Sequence, residues 1–198
     1  MTRKPFKPAA WALPQPVSII GTYDETGTPN AMNAAWTGQY DDTQVVLCLS
    51  AGHKTTKNIM ARRDFTLSFA TRDQMAACDY VGMAGGNTTP DKVARTGWTV
   101  HKAGQMNAPV FEELPLALEC RMNGQTDNGN IVADIVNITC DEAFLDADGR
   151  PDVRKMQLLS FNPVNRTYLV VDQEAGQAWN EGRKLLQAAV AAHAPLAQ

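Results

Sequence analysis

No two cysteines of the chain stand at C-x-x-C spacing; Cys48, Cys78, Cys120 and Cys140 are scattered along it. That excludes the common zinc and dithiol redox motifs, and without a secretory context an even cysteine count does not imply disulfides. No apolar run approaches the ~18 residues of a membrane span. Arg3, Lys4 and Lys7 give the start of the chain a basic tip, but Pro5, Pro8, Pro14 and Pro16 interrupt it and no signal-type apolar stretch follows. A cytoplasmic protein without membrane contact is the expectation. No lysine or arginine block exceeds three residues and the formal net charge is −3, so the basic stripe of a nucleic-acid binder is missing. G-x-S-x-G, H-E-x-x-H and G-x-G-x-x-G are absent, which removes the usual signals of α/β-hydrolases, zincins and dinucleotide-binding folds. His101 and His193 have no cysteine or carboxylate at ligand spacing, so no metal site is expected.

What the chain does have is an ordinary globular balance, 44% hydrophobic and 20% charged over 198 residues, enough for one domain with its own core. The organisation reads as an N-terminal arm over 1–13, one barrel domain over 14–172, and a C-terminal helix and tail over 173–198. Strands are expected at Pro16–Tyr23, Asn30–Trp36, Gln44–Ser50, Phe65–Ala70, Leu114–Met122, Ile131–Cys140, Gln157–Phe161 and Thr167–Val171. Asp24–Gly27, Tyr40–Thr43, Asn123-Gly124, Asp127–Gly129 and Asp146–Gly149 read as turns. Helical spacing marks His53–Arg63, where Thr55 and Thr56 can cap, and Thr71–Val81. Pro90-Asp91 starts a further turn, and Trp179–Ala192 forms a terminal helix with Leu185, Leu186, Ala189 and Val190 on one face. Many short strands with a few short helices favour an antiparallel barrel over a parallel α/β sheet. Cys48, Cys120 and Cys140 sit in apolar stretches and read as buried small hydrophobes; Cys78, beside Asp79-Tyr80, is the one placed for exposure.

Three stretches carry chemistry. Ser50-Ala-Gly-His-Lys-Thr-Thr-Lys-Asn58 joins a strand to a helix start, where free N–H groups favour an anion. Lys54 and Lys57 add charge and Thr55 and Thr56 add hydroxyls, so the segment suits one terminal phosphate; an ordinary solvated helix start fits the same residues. Asn30-Ala-Met-Asn-Ala-Ala-Trp36 is a strand of small residues that lets a flat ligand approach the backbone, or else packs tightly on a helix or a partner subunit. Asp79-Tyr-Val-Gly-Met-Ala-Gly-Gly86 is glycine-dense, as a loop closing on a ligand or a merely flexible loop would be.

Taken in order, Pro16-Val-Ser-Ile-Ile-Gly-Thr22, Asn30-Ala-Met-Asn-Ala-Ala-Trp36, His53-Lys-Thr-Thr-Lys-Asn58, Asp79-Tyr-Val-Gly82 and Asp91-Lys92 resemble the flavin reductase-like family, in its flavoredoxin-related branch. The resemblance spans roughly residues 14 to 170. It implies a mainly β fold with short helices, an antiparallel, Greek-key-like FMN-binding split β-barrel, with FMN at a homodimer interface and NADH or NADPH as electron donor. By position it implies that Asn33, Ala34, Ala35 and Trp36 meet the isoalloxazine, with Ser50 at the strand end beside it. His53, Lys54, Thr55, Thr56 and Asn58 match the phosphate and ribityl segment. Tyr80, Val81 and Gly82 match the loop that closes over the cofactor, and Lys92 a lysine near that loop. The chain departs from the family at Ala84-Gly85-Gly86, where a Ser-Gly pair is usual, and between Gly97 and Pro109; both bear on substrate choice.

The implied activity is electron transfer from NAD(P)H through FMN to free flavin or another acceptor, with the hydride chemistry belonging to the flavin and no indispensable acid–base residue. An FMN-containing electron-transfer protein that docks to a redox partner is the alternative, and a non-flavin binding module on the same barrel is a third reading.

Overall fold

The computed structural model describes residues 1–183 and Leu185. After an N-terminal arm without helix or strand come β1 (Gln15–Pro16), β2 (Ser18–Tyr23), β3 (Pro29–Ala34), β4 (Thr37–Asp41) and β5 (Gln44–Leu47). Helix α1 (Lys54–Arg62) leads to β6 (Asp64–Phe69), α2 (Met75–Met83) and α3 (Lys92–Thr96). Then follow β7 (Val100–Lys102), β8 (Pro109–Phe111), β9 (Leu116–Gln125), β10 (Ile131–Cys140), α4 (Val153–Met156), β11 (Leu159–Asn162) and β12 (Thr167–Val170).

Seven strands form the main sheet in the order β3-β2-β6-β9-β10-β5-β4, with every pairing antiparallel. β3 and β4 are its two edges, yet only Ala35 and Trp36 separate them along the chain. The step from Ala34 to Thr37 spans at most ~11 Å, so the edges meet there and the sheet curls on itself. The Ser18 and Thr37 hydroxyls bond across this seam at 2.7 Å, and the Cys48 N–H donates to the Trp36 carbonyl at 2.9 Å.

Period-two alternation divides the core between the two faces of the sheet. Ile20, Leu47, Phe65, Leu67 and Ile131 fill the inside of the curl. Ile19, Ala31, Val81, Phe111 and Leu159 form a second cluster beneath α2 and the small sheet β1-β11-β12. β2 is covered on both sides, which explains why its six residues are almost all buried.

Several expectations are corrected. Asn123-Gly124 is no turn: β9 runs through it, and the register slips so that Val132 faces Gly124 while Ala133 faces Met122, leaving Asn123 in a bulge. β4 and β7 form where no strand is expected; the pairing of β4 with β5 and of β7 with β8 holds them, not propensity. Thr55 and Thr56 lie inside α1, and its N-cap is His53. Cys48 is exposed and Cys140 half-buried, because both stand at or beyond strand ends, whereas Cys78 is buried against the sheet by α2. Burial pushes the Cys78 thiol up to about 12. Of the expected terminal helix, Ala178–Gly182 form turns, while Leu186, Ala189, Val190 and Ala192 lie outside the described residues, as does His193. Among the described residues no helix is long and apolar enough to cross a membrane.

Candidate functional site

The tight turn that ends the β5 segment sets the start of α1. His53 N–H donates to the Ser50 carbonyl at 3.2 Å, and the Thr56 hydroxyl reaches the same oxygen at 2.8 Å. The N-cap, His53, makes no side-chain cap. The backbone N–H groups of Lys54, Thr55 and Thr56 therefore find no acceptor among the described residues. Three aligned donors at a helix start form a centre of positive potential.

Below that start, buried amides lock α1 to the sheet. Asn30 donates to the Thr55 hydroxyl at 2.8 Å, and Asn58 to the Thr22 hydroxyl at 2.9 Å. The side chains of Thr55, Thr56 and Asn58 thus bond inward, and what the segment offers outward is backbone N–H and lysine. Lys54 reaches Asp24 at 3.3 Å. Burial works against the Asp24 charge, but bonds from the Thr26 hydroxyl, the Thr28 and Thr26 N–H groups and Lys54 outweigh it and hold the carboxyl at about 2.

The α2–α3 connection lies over this floor. A Cβ on Gly82 would come within 2.9 Å of Asn33 Cβ, and one on Gly86 would strike Asn30 Oδ1 and approach Lys54 Cβ at 3.0 Å. Only glycine lets the connection lie this close. Asn87 ties it down, donating to the Gly52 carbonyl at 3.0 Å and accepting from Lys57 Nζ at 3.4 Å. From within, Lys92 donates to the carbonyls of Val81 at 2.9 Å and Ala84 at 2.8 Å. Lys92 is 2% exposed and has no carboxylate partner among the described residues; burial lowers its pKa to about 8.

Floor and roof enclose a cavity of about 170 Å³ into which Asn30, His53, Lys54, Thr55, Gly82 and Lys92 face, with Val81 beside them. Asn33, Ala35 and Gly82 line a second cavity, of about 220 Å³, on the other side of Gly82. Ala34 points into the core, and Trp36 stands 59% exposed at the seam. Tyr80 packs in the second core cluster and Ser50 is exposed; neither lines these cavities. The sequence marks Asn30 and Gly86 only as the ends of two candidate stretches and assigns no site role to Asp24 or Asn87. Asn30 heads the small-residue strand and Gly86 closes the glycine-dense loop, so both were within reach; nothing local marks Asp24 as a partner for Lys54. A larger cavity, of about 490 Å³, lies far along the chain beside Asp146, Asp152, Asp172 and Glu174, whose charges repel an anion.

The site therefore sets an uncapped helix start, with free N–H donors, beside the edge strand β3 of a curled antiparallel sheet. The fold that carries it is a known one: the family model described as "Flavin reductase like domain" matches residues 11–153, and the chain belongs to that family. Flavoredoxin of Desulfovibrio vulgaris (Miyazaki F) is similar at 31% identity and a TM-score of 0.88, with 91% of this chain and 100% of that one covered. Flavoredoxin from Methanosarcina acetivorans follows at 24% identity and 0.84, covering 93% and 100%. An FMN-binding protein from Thermus thermophilus shares the fold at 20% identity and 0.71, covering 89% and 98%. Comparison with curated proteins by sequence finds no match.

Proposed function

We propose that the chain is an FMN-dependent oxidoreductase that takes electrons from NADH or NADPH and passes them through bound FMN to free flavin or another acceptor. The observation that carries this reading is the uncapped start of α1, roofed by glycine and opening on the edge of β3. The residues fit the group. A terminal phosphate is matched by the N–H groups of Lys54, Thr55 and Thr56, with Lys54 and Lys57 as counter-charges and His53 at the rim. A flat ring is matched by Asn33 and Ala34 at the end of the edge strand β3 and by Ala35 and Trp36 just beyond it. Ser50 and Asn58 hold the floor in shape; Tyr80, Val81, Gly82 and Lys92 hold the roof. When bound, the flavin supplies the hydride and single-electron chemistry, and the protein supplies position and electrostatics. The exposed Trp36 at the open seam supports a homodimer in which a second copy covers the ring.

A second reading is an FMN-containing electron-transfer protein without substrate turnover of its own, as a flavoredoxin-related chain allows. The visible spectrum of the purified protein after incubation with FMN tests the common part; a colourless protein that retains no flavin would reject both readings. Stopped-flow mixing with NADH and with NADPH separates them. Rapid bleaching by either donor supports the oxidoreductase, and bleaching by neither leaves the carrier.

A further inference from the structure

The N-terminal arm and the cavity of about 490 Å³ are opposite in charge, and no salt bridge among the described residues involves either. The arm carries Arg3, Lys4 and Lys7, and no acidic residue precedes Asp24. All of residues 1–13 are exposed, and their one backbone hydrogen bond among the described residues runs from Trp11 N–H to the Ala9 carbonyl at 2.9 Å. Phe6 is 67% exposed, with the Trp11 ring edge-on at 5.5 Å. Pro5 and Pro8 favour a polyproline II path of about three residues per turn, which sets Lys4 and Lys7 on one row and Arg3 and Phe6 on the next.

The cavity falls within the ~300–1,000 Å³ of ligand-holding clefts. Pro151, Val153 and Val171 give it an apolar floor that is open to solvent. Asp146, Asp152, Asp172 and Glu174 stand around that floor, against the one cation Arg154. Asp146 and Asp152 each turn one oxygen to local N–H groups, whereas Asp172 and Glu174 are exposed. The wall behind Asp172 and Glu174 is bare backbone. Val171 N–H still bonds the Leu158 carbonyl at 2.8 Å; beyond it Asp172, Gln173 and Glu174 continue from β12 without turn or bend. Their N–H and carbonyl groups make no backbone hydrogen bond among the described residues, and β12 is the edge of its sheet. An edge with free backbone groups takes a second extended chain alongside it.

We infer that the groove between α4 and the stretch from Val171 to Glu174 receives the basic arm of a second copy of this chain. Arg3, Lys4 and Lys7 meet the four carboxylates, and Phe6 covers the apolar floor. A copy's own arm is aimed away from its groove. β1 runs antiparallel to β11 with Gln15 opposite Phe161, so the arm leaves β1 toward Asn162 and the turn that joins β11 to β12. The groove begins at the other end of β12, where Val171 meets Leu158. This contact stands apart from the flavin reading: residues 1–10 and the wall from Val171 to Glu174 lie outside the family match of 11–153.

A synthetic peptide of residues 1–9 is titrated into the full chain by NMR, with the Val153 and Val171 methyls as reporters. It is expected to move both signals. Its affinity is expected to fall about fivefold or more between 0.1 M and 1 M salt, where the screening length shrinks from ~10 to ~3 Å. The same peptide with Arg3→Glu, Lys4→Glu and Lys7→Glu is expected to leave both signals in place. Asp172→Asn with Glu174→Gln is expected to weaken the unaltered peptide by about fivefold, and the charge-reversed peptide tests the same attraction should that double variant not fold. To identify the donor of the arm, copies with a nitroxide on Thr2→Cys, in a Cys48→Ser background, are mixed with methyl-labelled copies until subunits have exchanged. Broadening of Val153 and Val171 in the methyl-labelled copies is the expected result. Unmoved signals, equal binding of the two peptides, or an unchanged affinity in the folded double variant overturns the inference. So does broadening confined to molecules that carry both labels, which would seat the arm in its own groove.

Discussion

Replacing Lys92 by methionine keeps most of the side chain's length and removes its charge. In the native protein burial depresses the ammonium pKa from 10.5 to about 8, against two carbonyl acceptors that favour the charged form. At ~1.4 kcal/mol per unit, that shift corresponds to about 3 kcal/mol, and solvent at the cavity mouth screens part of it, leaving about 2 kcal/mol. The folded state releases the Lys92 proton at lower pH than the unfolded chain does. Between about pH 8 and 10.5 the unfolded chain therefore binds more protons, and the contribution of Lys92 to stability rises with pH across that window. Below pH 8 the full desolvation cost is present, offset by charge-assisted bonds to Val81 and Ala84 of roughly 1.5–3 kcal/mol each.

Urea denaturation of the wild type and of Lys92→Met at half-unit steps from pH 7 to 10.5 isolates this contribution, because every other titrating group is common to both proteins. The stability difference, wild type minus variant, is expected to grow by about 2 kcal/mol from pH 8 to 10.5. A difference that stays flat, or shrinks with rising pH, refutes the assignment of a buried ammonium without a counter-charge. On the proposed site, added FMN would set a dianionic phosphate across the same cavity, and the onset of the rise should then move to higher pH.

Other measurements probe the same corner of the fold. On the proposed site Lys54→Ala removes a charge-assisted contact to the phosphate and leaves Asp24 without its cation, so FMN binding should weaken by about 1–3 kcal/mol; adding Asp24→Asn should recover part of that loss, and fluorescence titration reads both. Gly86→Ala forces a Cβ against Asn30 and Lys54 and lifts the roof, with an expected cost of about 1–3 kcal/mol in thermal or urea stability and a parallel loss of FMN affinity. An iodoacetamide pulse on the native protein should alkylate Cys48 first and spare Cys78 and Cys120, whose thiols burial pushes up to about 12; peptide mass spectrometry locates the label.

Where local chemistry decides the structure, the sequence was readable. The Asp24–Gly27 and Asp127–Gly129 turns have glycine at φ +84° and +80°, and Ile131–Cys140 is a strand to the residue. The His53–Arg63 segment becomes α1 with one residue trimmed from each end. What escaped is set by partners far along the chain. β4 is polar and mostly exposed, and it is a strand only because β5 pairs with it. Asn123-Gly124 has turn chemistry, yet β10 on one side carries the strand straight through it as a bulge. The candidate site divides in the same way. The anion-favouring helix start, the small-residue strand and the glycine-rich roof each lie in one continuous stretch, so their chemistry shows in the residues. How they interlock does not, because Asn30, Lys54 and Gly86 meet only when β3, α1 and the α2–α3 connection are stacked. The same holds for Asp79 and Tyr168, 89 positions apart, which the small β1-β11-β12 sheet brings to 2.6 Å. That sheet is the physical reason the cavity beside the start of α1 has a second one across Gly82. Strands β11 and β12 add nothing to the seven-stranded sheet itself, but they set two aromatic side chains against the one carboxylate of α2 that faces the edge strand.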